Sequence, residues 1–96
     1  MASGTVKKTV GGWGTPSTVT MPFSPTKDGI VVAAFSPSTS ANSWVFITDN
    51  GNSYMRAMSS GGTGYGMTFP TIHGHTYAVS NSGNLSSSTY TFIPFD

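Results

Sequence analysis

Turn-forming residues interrupt this chain at intervals of roughly 8–12 residues, the rhythm of short strands folded back on one another. Gly11-Gly12, Gly14-Thr15-Pro16, Asp28-Gly29, the loop Ser36–Asn42, Asn50-Gly51, the run SGGTGYG at 60–66 and Asn81-Ser82-Gly83-Asn84 leave no uninterrupted stretch suited to a helix. The polar positions point the same way. Ser, Thr, Gly and Asn dominate them and glutamate is absent. Ser, Thr and Asn offer the backbone competing hydrogen bonds, and Gly carries an entropic cost in a helix.

The segments between breakers carry strand patterns. Residues 5–10, TVKKTV, suit a short strand, and 17–23, STVTMPF, an extended segment with Pro22 at an edge or end. Gly29–Ser36 is β-branched and apolar on both faces, which predicts a central strand. Ser43–Thr48 and Ser53–Ser59 flank Asp49-Asn50-Gly51-Asn52, and Asn-Gly is the strongest short hairpin signal. Alternation places Tyr54, Arg56 and Met58 on one face of the second strand, Met55 and Ala57 on the other. Met67–Phe69 is short and stops at Pro70; Thr76–Ser80 and Leu85–Phe95 complete the set. The expectation is an all-β, antiparallel, jelly-roll-like β-sandwich of about seven or eight short strands and no helix. Residues 1–15 are expected to form an N-terminal arm and 16–96 a single sandwich domain.

A chain of 96 residues is one small domain. It buries only about two-thirds of its unfolded surface, and without cysteine it has no disulfide to reinforce it. Association with further copies is the remaining device for stabilising such a domain. Two Trp, four Tyr and six Phe supply enough aromatic surface for both a core and an interface.

Charge excludes several functions. The net charge of +1 provides no footprint for nucleic acid, and Lys7-Lys8 is too small a basic cluster. The longest apolar run, Ile30–Phe35, is strand-sized, so no membrane insertion is expected. MASGTVKKTVGGWG has no apolar core of a secretory leader, which implies synthesis in the cytoplasm. The groups available for catalysis are three aspartates and two histidines. Asp28 and Asp49 sit in predicted turns, where Asp is common for local hydrogen bonds, and Asp96 is the last residue. No nucleophile elbow of the form G-x-S-x-G occurs. SGGTGYG lacks the following helix and the lysine of a phosphate cradle. No enzymatic activity and no cofactor are expected.

Binding is the better expectation. Tyr65, flanked by glycines, is either a ligand contact or folded back over the sandwich edge. Tyr54, Asn52 and Arg56 are the other candidate ligand contacts, on the hairpin and its second strand. Trp44, beside Val45, Phe46 and Ile47, belongs to a core or a subunit interface. Trp13, among glycines, is a candidate assembly anchor in a neighbouring chain or a lid on its own domain. His73 and His75 flank Gly74. Such a pair invites a metal, but two ligands do not close a site. A polar turn between strands is the favoured reading.

Three stretches carry a resemblance. "MPFSPTKDGIVVAAFS", "FPTIHGHTYAVS" and "STYTFIPFD" are similar in order and pattern to the small C-terminal domains of bacteriophage fibre and receptor-binding proteins. The likeness covers roughly residues 21–96. That family's turn carries Lys and Asp around its glycine, where this chain has His73 and His75. The resemblance implies a homotrimeric, jelly-roll-like module on the virion surface, contacting other virion proteins and a host-surface glycan or protein. It leaves open a fibre tip, a head fibre or a capsid decoration. The alternatives are a monomeric carbohydrate-binding module of a secreted bacterial protein and a purely architectural, capsid-stabilising protein.

Overall fold

The computed structural model describes residues 12–95, so the expected strand at 5–10 lies outside the described residues. The described residues form an antiparallel β-sandwich of seven strands with no helix. These are β1 (Ser17–Val19), β2 (Gly29–Pro37), β3 (Ser43–Asp49), β4 (Asn52–Ser59), β5 (Tyr65–Thr71), β6 (Tyr77–Asn81) and β7 (Leu85–Pro94). One sheet has the order β1-β7-β2-β5 and the other β4-β3-β6.

The alternation of β2 builds the core. Val31, Ala33 and Phe35 point inward and are buried, while Val32, Ala34 and Ser36 point out and are exposed. β2 is central, between β7 and β5, but its outer face is open rather than covered. Val31 stands in register with Phe92 of β7 and Phe69 of β5, so three apolar side chains line up across the sheet. From the facing sheet Val45, Ile47 and Tyr77 close on them. Each such side chain contributes about 1.5–3 kcal/mol by leaving water.

Two strands differ from expectation. β5 does not stop at Pro70 but runs through it to Thr71. It is an edge strand of its sheet, so the missing N–H of proline removes no ladder bond. In β4 the register with β3 shifts between Ile47 and Thr48, leaving Tyr54 as the extra residue. The bulge takes Tyr54 off the face shared by Arg56 and Met58. Its ring packs instead near Phe69 and Tyr77, and its hydroxyl donates to the Pro70 carbonyl at 2.8 Å. That bond stitches β4 to β5 along one side of the sandwich.

The β3–β4 turn is the hairpin its Asn-Gly announces, with Asn50 at φ 50° and Gly51 at φ 83°. The extended segment expected at 17–23 shortens to β1, followed by a cis Met21–Pro22 bond and an isolated bridge between Phe23 and Tyr77. Phe23 and Tyr77 exchange both backbone hydrogen bonds at 2.8 Å, which ties the segment before β2 to the other sheet.

Candidate functional site

The β5–β6 turn crosses from one sheet to the other at the end of the sandwich where β2 begins and β3 finishes. His75 N–H donates to the Ile72 carbonyl at 3.2 Å, and Gly74 takes φ +84° between them. A positive φ at that place in the turn is what glycine supplies. The two flanking imidazoles consequently do not share a face. His73 Nδ1 lies 2.7 Å from Asp28 Oδ1, in the loop before β2. His75 Nδ1 lies 2.7 Å from Asp49 Oδ1, at the end of β3. One turn thus grips a carboxylate from each sheet.

Backbone bonds complete this clasp. Asp28 Oδ1 also accepts the His73 N–H at 2.9 Å, and the Pro25 carbonyl accepts the Gly74 N–H at 3.2 Å. Asn50 Oδ1 accepts the Thr76 N–H at 2.7 Å, docking the hairpin tip on the same turn. The backbone N–H of His73, then its imidazole, hold the Asp28 carboxyl below the usual carboxylate range, against a smaller opposing effect of burial. Behind the turn, Tyr77 accepts the Ile72 N–H at 2.8 Å, and its burial raises the phenol above its ordinary value. The His75 ring stacks over Tyr77 at 6.4 Å.

An open cleft of about 900 Å³ adjoins the clasp. Trp13, Pro16, Ser17, Phe23, Thr26, Lys27 and Phe92 are among its lining residues. Trp13 is bridged to Phe95, and its ring is braced against Phe95 at 5.1 Å. Gly14 N–H donates to the Pro94 carbonyl at 2.7 Å, and Phe95 N–H to the Asp28 carbonyl at 2.9 Å. Asp28, outside the lining, therefore links the two regions: its carbonyl holds the residue after β7 and its carboxylate holds His73.

Comparisons with family models, with curated proteins and with solved structures find no match. The chemistry of the chain accordingly rests on its own residues.

The candidate ligand contacts do not converge. Tyr65 begins β5 and turns back over the core edge, its ring 5.2 Å from Phe35 and its hydroxyl 2.7 Å from Ser43 Oγ. Tyr54 is committed to Pro70, and Asn52 is exposed at the hairpin. Arg56 lies over the Phe46 ring at 5.8 Å. Trp44 is not a core residue. It faces outward on the three-stranded sheet, half-buried, 4.9 Å from Phe46 and in register with the exposed Met58. Trp13 sits against its own sandwich in the cleft, still 58% exposed.

His73 and His75 direct Nδ1 at aspartates rather than toward each other. Among the described residues no group of three or more His, Cys, Asp or Glu side chains is placed to hold a metal ion. Lys27 and Asp28 carry no special signal in the sequence beyond that of a turn. Asp28 gains its role where the loop before β2 meets the β5–β6 turn.

Proposed function

We propose that this chain is a structural protein of a bacteriophage virion surface that works by binding, assembles as a homotrimer and mediates attachment to the host surface. The observation that carries this reading is the outer face of the three-stranded sheet. Trp44, Phe46 and Met58 stand side by side there, with Arg56 over Phe46. Aromatic residues, Met and Arg are the side chains enriched in protein interfaces. A domain of this size gains from association the burial it cannot reach alone. The family resemblance of residues 21–96 supplies the phage setting and the trimer.

The aspartates support binding over catalysis. Asp28 and Asp49 are each taken by a different histidine, which is a structural use of both. A glycosidase pair would need two carboxylates facing one cleft.

Native mass spectrometry and light scattering of the purified chain test the assembly. The expected species is a trimer that Trp44→Ser with Phe46→Ser converts to a folded monomer. A wild-type monomer at micromolar concentration would refute the reading.

A further inference from the structure

We infer that the cleft between Trp13 and Lys27 is a saccharide-binding site whose ligand is an oligosaccharide bearing a carboxylate. The inference deepens the attachment reading, on which it rests, by naming a site and a ligand class.

Three observations converge. First, Trp13 offers an exposed indole whose position is fixed from behind. Phe95 braces the ring, and the Gly14–Pro94 hydrogen bond fixes the backbone beside it. An aromatic ring presented with little freedom left to lose stacks on the apolar C–H face of a pyranose at small entropic cost. Second, the cleft mixes that ring with hydroxyl-bearing residues. Thr15, Ser17 and Thr26 line it and are exposed. Hydroxyls both donate and accept, which matches the hydroxyl groups of a sugar. A volume of about 900 Å³ has room for two or three sugar rings. Third, Lys27 is the one charged side chain in the lining, and no salt bridge engages it among the described residues. The neighbouring carboxylate, Asp28, is turned to His73. Among the described residues Lys27 has no carboxylate partner and no acidic side chain lines the cleft, a setting that selects an anionic group on the ligand.

The clasp keeps the Lys27 loop in place. Pro25 is buried and accepts from Gly74, Ser24 Oγ lies 2.9 Å from Thr76 Oγ1, and Asp28 holds His73. The loop that carries Thr26 and Lys27 is thus pinned at three points to the β5–β6 turn. The cleft is set before any ligand arrives, which lowers the cost of binding.

The full chain is tested on a panel of uronate- and sialate-bearing oligosaccharides beside their neutral counterparts, followed by calorimetric titration of the best binder. Acidic members are expected to bind and their neutral counterparts to bind more weakly. Trp13→Ala should abolish binding. Lys27→Gln should weaken the acidic ligand by about tenfold, the scale of one charge-assisted hydrogen bond, and leave the neutral one unchanged. Thermal melts of both variants show whether the fold is kept, and Lys27 is exposed, so its replacement leaves the sandwich intact. No binding at millimolar sugar, binding that survives Trp13→Ala, or equal loss of acidic and neutral ligands in Lys27→Gln would each overturn the inference. Trp44 lies on a different sheet from the β7 end that holds Trp13, so a trimer with no glycan affinity removes this site and leaves the assembly reading standing.

Discussion

His73 and Asp28 stand 45 positions apart in the chain and 2.7 Å apart in the fold. Asp28 Oδ1 receives both the backbone N–H and the ring of His73, and these two contacts depress its carboxyl. A group whose folded pKa lies below its unfolded one stabilises the fold above the unfolded value, about 3.9 for Asp, and loses that contribution as pH falls through the folded value. The wild-type thermal midpoint is therefore expected to fall below about pH 4, more steeply than that of Asp28→Asn. At pH 7 the substitution should cost only about 2–5 °C, because the pair is more than half exposed and solvent screens it. Midpoints measured from pH 3 to 8 check this; parallel curves would contradict it.

The fold was far more legible than the site, and the reason is physical. The β-branched, apolar runs at β2 and β3 and the Asn-Gly at 50–51 are local signals, and local signals fix strands and hairpins. The reach of β5 through Pro70 depends on its place at a sheet edge, which is a property of the whole sheet. The inward turn of Tyr54 depends on a bulge, and nothing in SYMRAMS marks it. The clasp is further out of reach. Each of its carboxylates and imidazoles sits in a segment recognisable as a turn, but which turns meet is set by strand order. Gly74 is a partial exception: a turn there means that the flanking histidines need not share a face, and the structure sends them to different aspartates.

The Tyr54–Pro70 bond leads to the second prediction. The Tyr54 hydroxyl is the polar link from β4 to β5, and partial burial raises its pKa, so it stays a donor through neutral pH. Tyr54→Phe keeps the ring near Phe69 and Tyr77 and removes only that link. The expected loss is about 0.5–1.5 kcal/mol in urea unfolding, with an unchanged m-value. Tyr54→Ala also removes the aromatic packing and should cost more, about 2 kcal/mol, short of a core truncation because the residue is 38% exposed. Equal losses for the two variants would mean that the hydroxyl, and not the ring, holds the edge.

Asn50 joins the hairpin to the clasp. Its N–H donates to the Thr76 carbonyl at 2.8 Å, and its side-chain oxygen accepts the Thr76 N–H. It also occupies φ 50°, which Asn tolerates better than most residues. Asn50→Ala loses the acceptor and adds backbone strain, for an expected cost of about 1–3 kcal/mol. Asn50→Gly restores the conformation but not the acceptor and should recover about half of it. Amide exchange at Thr76 is the specific readout: it should accelerate in both variants, because both leave that N–H without its partner.

Two glycines should respond to the same substitution for opposite reasons. Gly51 has open space around it, and its constraint is φ 83° in the hairpin. Gly51→Ala should cost about 1–2 kcal/mol, the strain of a left-handed alanine, and leave the protein folded. Gly29 has no such φ, but it begins β2 between strands that press on it. A Cβ there would meet the Ile93 carbonyl oxygen at 2.5 Å and Pro94 Cα at 2.8 Å. Those atoms belong to the backbone of β7 and cannot rotate away. Gly29→Ala must push apart the β2–β7 pair next to Asp28, disturbing both the ladder and the loop that carries Lys27. The expected cost is above about 3 kcal/mol, a large share of the stability of a domain this small. Soluble yield and thermal midpoint of the two variants, measured side by side, should place Gly29→Ala well below Gly51→Ala; the reverse order would show that β7 yields at this position.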